Sequence, residues 1–97
     1  MRYVWDEAKR KLNLEKHGLD FTDADLVITS VYRLDVFSTR RGEQRVQSFA
    51  YVFEALTVMT VVHVPGVDEL RIISFRRANR SEREAYHDWL ENYSNDD

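Results

Sequence analysis

Cysteine is absent from the 97-residue sequence. Its absence excludes disulfide bonds, thiolate zinc sites and cysteine nucleophiles. No apolar run approaches the length of a membrane-spanning helix, and the first residues, MRYVWDEAKRK, lack the apolar core of a signal peptide, so a cytoplasmic location is expected. No repeat, linker or low-complexity segment divides the chain, which predicts a single domain over residues 1–97 with one modest core.

Several enzyme motifs are also missing. The chain has no glycine-rich phosphate loop, no G-x-S-x-G segment and no dinucleotide fingerprint, which argues against a nucleotide-dependent enzyme. The histidines, His17, His63 and His87, are far apart and show neither HxxxH nor HExxH spacing. The sequence therefore predicts no metal site and no cofactor. His63, which lies between two valines, is expected to be a hydrogen-bonded residue of a central strand.

The charge is low in total but uneven along the chain. A net charge of −3 argues against indiscriminate coating of nucleic acid, because such binding neutralises many phosphates. Residues 71–80 nevertheless contain four arginines and no acidic residue, whereas residues 81–97 contain one basic and six acidic residues. This contrast predicts a local basic site.

The pattern of apolar residues predicts an α+β fold with two N-terminal helices, a four-stranded antiparallel sheet and a C-terminal helix. The first helix is expected from the N-cap Asp6 to about His17 and Gly18, and the second begins at the N-cap Thr22, with Asp25 completing a capping box. Residues 2–5 are read as a short edge strand. The main strands are expected near residues 32–37, 45–53, 57–64 and 70–77.

The connections and one strand carry further expectations. The strand TVMTVVHV is apolar on both faces and should lie centrally in the sheet. Residues 38–44 are expected to form a loop, and Pro65-Gly66 is expected to form a type II turn that needs positive φ at Gly66. Short connections of this kind favour antiparallel neighbours.

The stretch from Arg71 onward should change from strand to helix. Alternation places Ile73 and Phe75 on one face of the strand and Ser74 and Arg76 on the other. Downstream, a serine followed by a glutamate three residues later predicts a capping box, at Ser81 and Glu84. The helix after it should bury an aromatic face made of Tyr86, Trp89, Leu90 and Tyr93.

The arginines of this stretch, Arg76, Arg77 and Arg80, supply planar donors that match phosphate oxygens in pairs. An equally open interpretation is that they pair with the acidic residues of the last helix or cover the core with their aliphatic stems. If adjacent arginines point to opposite faces, only Arg76 shares a surface with Ser74.

Two other polar groups have alternative interpretations. On the first helix, polar side chains share one face beside a narrow stripe of Ala8 and Leu12 that is expected to be buried; they are Lys9, Asn13, Lys16 and His17. They form either a solvated flank or part of a site. In the segment TRRGEQR, Glu43 either belongs to a charged hairpin tip, or orients the surrounding arginines, or acts as a base.

Three separated segments resemble the BrnT-type toxins. WDEAKRKLNLEKHGLDFTDA resembles the family's opening WD-x-x-K-x-x-x-N-x-x-KHG-x-x-F-x-x-A, RGEQR resembles its GE-x-R loop, and RIISFRRANRSEREAY resembles its ending RIIS-x-R-x-A-x-x-x-E-x-x-x-Y. The segments follow in the family's order and cover nearly the whole chain. Ala50 replaces a frequent glycine, and Phe75 replaces a small residue, which is expected to enlarge the surface beside Arg76.

The resemblance implies a ribonuclease toxin with a RelE-like fold, the toxic half of a type II toxin–antitoxin pair. It also implies a BrnA-like antitoxin with a ribbon-helix-helix DNA-binding domain, and repression of the operon by the complex through operator DNA. A homodimer within that complex is compatible with the sequence. The alternative is a non-catalytic module that binds nucleic acid or a partner without turnover.

Cleavage of RNA without metal proceeds by attack of the 2′-hydroxyl on phosphorus, and it needs a base, an acid and cations that stabilise the crowded phosphorane. The sequence predicts charge stabilisation by Arg76 and Arg80, and proton transfer by Lys9 and Glu43. The residues expected to hold RNA are Lys16, His17, Arg45 and Arg77. We expect the polar face of the first helix and the strand-to-helix junction to border a common cleft.

Overall fold

A computed structural model describes residues 1–95, which contain five strands, three α-helices and a short 3₁₀ turn. In chain order the elements are β1 (Arg2–Val4), α1 (Glu7–His17), the 3₁₀ turn (Phe21–Asp23), α2 (Asp25–Ile28), β2 (Leu34–Arg40), β3 (Glu43–Val52), β4 (Thr57–Val64), β5 (Glu69–Arg77) and α3 (Arg80–Asn95). The predicted α+β class is confirmed. None of the helices over this range combines the length and the apolar composition that crossing a bilayer requires.

The strands form one sheet in the order β1-β5-β4-β3-β2, with β4 at the centre as predicted. β1 runs parallel to β5 and pairs Arg2 with Glu69 and Val4 with Arg71, whereas the other neighbours are antiparallel. The predicted edge strand is confirmed, but the predicted four-stranded antiparallel sheet is wrong, because the sheet is mixed and has five strands. A three-residue strand is too short for its pattern to indicate which strand it joins.

The two faces of the sheet bury separate apolar clusters. One face packs against the 3₁₀ turn and α2, and its buried side chains include Val27 and Val61. Part of the other face packs against α3, where Val58 and Tyr86 are buried. Among the described residues, α1 contributes no member to either cluster. Apolar burial therefore does not explain how α1 is placed.

A bulge in β5 changes which of its side chains share a face. Ile72 and Ser74 pair with consecutive residues of β4, so Ile73 is the extra residue between them. Ile72 and Phe75 consequently enter the same buried cluster, and the alternation predicted for this strand is wrong. Phe75 is fully buried, so the expectation that it enlarges the surface beside Arg76 is also wrong.

The ends of α1 agree with the sequence, but the start of the next element does not. The Asp6 side chain accepts hydrogen bonds from the first turn of α1, and Gly18 ends the helix with φ of 69°. The predicted N-cap Thr22 is wrong, because Asp20 caps the 3₁₀ turn by accepting from the Thr22 amide. The Arg10 guanidinium fixes the Asp20 carboxylate in this position, because Nε and Nη2 of Arg10 each lie 2.8 Å from one of its oxygens.

The capping box of α3 lies two residues before the predicted one. The Glu82 amide donates to Asn79 Oδ1 at 2.9 Å, and the Asn79 amide donates to Glu82 Oε1 at 2.8 Å. Both pairs, Asn79 with Glu82 and Ser81 with Glu84, satisfy the local sequence rule. In the structure Glu84 pairs instead with Arg80, at 3.1 Å.

Two glycine-containing turns differ from the prediction. β2 and β3 extend so far that only Arg41 and Gly42 connect them, both with positive φ, which is a two-residue hairpin rather than the loop predicted over 38–44. Gly66 does not have positive φ, so the predicted type II turn is wrong. A Cβ atom at Gly66 would collide with the carbonyl oxygen of Glu69, which explains the glycine.

A buried polar network links three strands on the face that carries Val61. Ser48 Oγ donates to Asp35 Oδ1 at 2.6 Å and lies 2.8 Å from His63 Nε2. The single hydroxyl proton goes to the carboxylate, so His63 donates from Nε2. Burial lowers the pKa of His63, and Arg33, which pairs with Asp35 at 3.0 Å, lowers it further. The prediction of a hydrogen-bonded histidine in a central strand is confirmed.

Candidate nucleic-acid interface

A single amide fixes α1 to the edge of β5. Asn13 is the one buried residue of this helix, and its Nδ2 donates to the carbonyl oxygens of Phe75 at 2.8 Å and Leu19 at 3.0 Å. Its Oδ1 accepts from the Phe75 amide at 3.1 Å. The Asn13 side chain thus bonds both backbone groups of Phe75, as the backbone of a neighbouring strand would. The predicted buried stripe of Ala8 and Leu12 is wrong, because both are exposed. Asn13 places the helix through hydrogen bonds instead.

This placement turns the polar face of α1 toward the bulge of β5. A cavity of about 620 Å³ lies between them. Its lining residues are Lys9, Leu12, Asn13, Glu15, Lys16, His17, Ile73 and Ser74. Because of the bulge, the consecutive residues Ile73 and Ser74 both line the cavity. The structure thus brings together three of the predicted site residues, all from α1.

Arg76 follows Ser74 on the same face of β5 and is held by a carboxylate. Its Nη1 donates to Glu82 Oε1 at 2.8 Å and its Nη2 donates to Glu82 Oε2 at 2.9 Å. These hydrogen bonds raise the pKa of Arg76 and lower that of Glu82. The pair is partly buried, with 31% of the Arg76 side chain and 19% of the Glu82 side chain exposed. One edge of Arg76 is thus already bound.

His17 lies within the electrostatic reach of Arg76. Burial lowers the pKa of His17, and the positive charges of Lys16 and Arg76 lower it further. The lowered pKa favours the neutral imidazole, which can accept a proton. The sequence predicts that His17 holds RNA, but the environment of its side chain in the structure suits proton transfer.

Glu43 acts as a ligand for two arginines. Both of its carboxylate oxygens accept from Arg71 Nη2, at 2.9 and 2.8 Å, and Arg45 Nε lies 3.4 Å from Oε1. These contacts, with Arg71 contributing most, lower the pKa of Glu43. Of the three interpretations left open by the sequence, this arrangement favours orientation of arginines. Arg71 and Arg76 are five residues apart, roughly 15 Å along a strand, so Glu43 serves a different part of the surface.

The other arginines at the end of the basic stretch, Arg77 and Arg80, do not line the cavity. Arg77 is exposed and, as the next residue of β5, points to the opposite face of the sheet. Arg80 opens α3, with 86% of its side chain exposed, and pairs with Glu84. The alternative interpretation, in which arginines pair with acidic residues of the last helix, is confirmed for Arg76 and Arg80.

The cavity, Arg76 and Glu82 lie within a segment that matches a known family. Residues 5–82 match a family model described as "Ribonuclease toxin, BrnT, of type II toxin-antitoxin system". The chain belongs to the BrnT family. The resemblance predicted from three motif segments is confirmed, and a toxin of this type implies an antitoxin partner and an RNA target. A comparison with curated proteins gives no match.

The BrnT match ends at Glu82, a residue that the sequence prediction did not include in the site. Two signals in the sequence point to Glu82: it lies three residues after Asn79, as a capping box requires, and it is the acidic residue of the family's ending. The competing pair Ser81 and Glu84 obscured the first signal. Tertiary pairing with Arg76 then distinguishes the two glutamates.

Proposed function

We propose that this BrnT-family chain is a metal-independent endoribonuclease that cleaves RNA on the surface between α1 and β5 and thereby inhibits translation. The observation that carries the proposal is a cavity lined by His17 and two lysines, with the fixed guanidinium of Arg76 near enough to His17 to help lower its pKa. A phosphodiester needs these groups for cleavage: a base for the 2′-hydroxyl and positive charge for the phosphorane.

In the proposed reaction, His17 takes the proton from the 2′-hydroxyl, whose oxygen then attacks phosphorus. The P–O5′ bond breaks, the products are a 2′,3′-cyclic phosphate and a 5′-hydroxyl, and O5′ receives a proton from the Lys16 ammonium. Arg76 stabilises the charge that builds on the phosphorane oxygens. This assignment exchanges the predicted roles of the two cavity lysines.

Lys9 is better suited to holding RNA than to proton transfer. It lies eight residues before His17, which corresponds to about 12 Å along a helix, too far for both to act on one phosphate. Lys9 also lines a smaller cavity together with Arg71. We assign Lys9, Arg71 and Arg45 to neighbouring phosphates, with Glu43 orienting the two arginines. Arg80 belongs to the periphery of this surface.

The test is cleavage of total RNA in excess chelator by the parent protein and by two single variants. Arg76→Ala should reduce the rate about 100-fold or more, because removing one donor to a developing anion costs that much in other enzymes. Arg77→Ala is the matched control: the residue is adjacent and equally charged but faces the other side, so the variant should keep a rate near that of the parent.

Equal losses in the two variants would contradict the proposed site. RNA binding without cleavage by the parent protein would overturn the enzyme and favour the alternative, a module that only binds nucleic acid. Inhibition of the parent by the chelator would contradict metal independence. Folded content should be matched by circular dichroism before the rates are compared.

The antitoxin is proposed to be BrnA-like, with a ribbon-helix-helix domain that binds operator DNA, and to cover the basic surface with acidic side chains. Support comes from the cationic side chains that line two cavities sharing Lys9, namely Lys9, Lys16 and Arg71. We place the reaction in the cytoplasm, and pairing of two toxins through a dimeric antitoxin is the proposed assembly.

If the antitoxin covers this surface, it should protect Lys9 and Lys16 from chemical labelling. In the complex, Lys9 and Lys16 should react with an amine-specific reagent more slowly than in the isolated toxin, measured by mass spectrometry. Lys11, which is exposed on the same helix but does not line the cavity, serves as the internal reference. Unchanged labelling of both cavity lysines would place the antitoxin on another surface.

A further inference from the structure

The hydrogen bonds of Arg76 use one edge of its guanidinium and leave another open. Nη1 and Nη2 bind Glu82 end-on, and Nη1 also lies 3.2 Å from the carbonyl oxygen of Arg77. Within residues 1–95, Nε of Arg76 has no hydrogen-bond acceptor in the structure. The side-on edge formed by Nε and the outer hydrogen of Nη2 is therefore available, and this edge matches two oxygens of a phosphate.

Arg10 shows that one guanidinium can bind two carboxylates at the same time through different edges. Arg10 binds Asp20 with Nε and Nη2, at 2.8 Å each, while its Nη1 binds Glu7 at 2.5 Å. Binding of one carboxylate therefore leaves room for a second anion at a separate edge. In Arg76 the end-on edge is taken and the side-on edge remains.

The carboxylate that holds Arg76 is itself fixed from several directions. Its Oε1 accepts from the Asn79 amide at 2.8 Å, and its Oε2 lies 3.4 Å from Gln47 Nε2. The Glu82 backbone is held in turn by Asn79 Oδ1. Glu82 thus connects the first turn of α3 with β3 and β5, and it is less exposed than the arginine.

We propose that Glu82 is a positioning residue, which fixes Arg76 end-on so that its Nε and Nη2 edge presents two donors to the RNA phosphate. The inference rests on the proposed function and adds a role for the first turn of α3. Arg76 meets the phosphate already oriented, so less side-chain freedom is lost when the phosphorane forms.

A purely electrostatic role of Glu82 predicts the opposite outcome. A carboxylate beside Arg76 lowers the positive potential of the surface, so its neutralisation would strengthen RNA binding and leave cleavage unchanged or faster. A positioning role predicts slower cleavage at saturating RNA even where binding is equal or tighter. The separation of kcat from KM therefore distinguishes the two roles.

The experiment compares Glu82→Gln with Glu84→Gln in steady-state cleavage of a short RNA. The glutamine at position 82 can still accept from the Asn79 amide, but its amide nitrogen cannot accept from Arg76, so kcat should fall about tenfold or more with KM unchanged or lower. Glu84→Gln makes the same change two residues later, at a glutamate that pairs with Arg80, so its kcat should stay near that of the parent. A kcat of Glu82→Gln at or above the parent value, or an equal loss in Glu84→Gln, would overturn the proposal.

A second measurement does not depend on cleavage. In ¹⁵N spectra, the Arg76 Nε–H signal of the parent should shift on addition of an uncleavable 2′-deoxy oligonucleotide, and the shift should be smaller in Glu82→Gln. Equal shifts in both proteins would overturn the positioning role. If the parent cleaves no RNA, the proposed function fails, yet this comparison still decides whether Glu82 sets the phosphate-binding edge of Arg76.

Discussion

Replacement of Asn13 with alanine is expected to destabilise the fold by about 3 kcal/mol or more, because two buried backbone groups of Phe75 lose their partner and each costs about 1–3 kcal/mol unpaired. The carbonyl group of Leu19 loses a hydrogen bond as well. Alanine has the higher helix propensity, so the local effect on α1 is favourable and does not explain a loss. The measurement is the free energy of unfolding in urea.

Lys11→Ala is the control for this variant. Lys11 is exposed on the same helix, so its replacement should change the free energy of unfolding by less than about 0.5 kcal/mol. A loss below 1 kcal/mol in Asn13→Ala would mean that water replaces the amide at the edge of β5, and α1 would then not depend on this residue for its position.

Phe75→Ala is expected to destabilise the protein by about 3–5 kcal/mol, the range for removal of a buried phenylalanine. The side chain is fully buried, in a cluster whose other members include Val61 and Ile72, so its removal leaves a cavity. Thermal or urea unfolding measures the change.

Phe37→Ala is the matched control, since Phe37 is 75% exposed on β2 and its loss should change stability by less than about 0.5 kcal/mol. Under conditions where Phe75→Ala remains folded, its rate of RNA cleavage should stay near that of the parent, because the ring lies on the core side of β5. A stable Phe75→Ala protein with lost cleavage would show instead that the ring shapes the site.

Local sequence rules were sufficient for the features that depend on neighbouring residues. Asp6 and Gly18 delimit α1 because a cap and a left-handed residue act within one turn. The strong apolar pattern of β4 identifies it as the central strand. The shared polar face of Lys9, Lys16 and His17 follows from helical spacing alone.

Features that depend on distant partners could not be predicted in this way. A bulge at Ile73 breaks an otherwise regular alternation, and nothing in the strand's own sequence marks it. Two glutamates satisfy the same capping rule, and the tertiary contacts with Arg76 and Gln47 distinguish Glu82. The engagement of Glu43 by Arg71, 28 residues later, likewise needs the folded sheet. The roles of these ionisable residues could therefore be assigned only from the tertiary structure.

The side chain of Asn13 also limits how the sheet can grow. Beyond its short pairing with β1, the outer edge of β5 lies against α1, and an incoming strand would have to break the two bonds of the amide with Phe75. At the opposite edge, β2 pairs only with β3 within residues 1–95, and Phe37 there is open to solvent. Edge-to-edge aggregation of this protein should therefore begin at β2, and charged or proline substitutions that face outward on this strand are the ones that would suppress it.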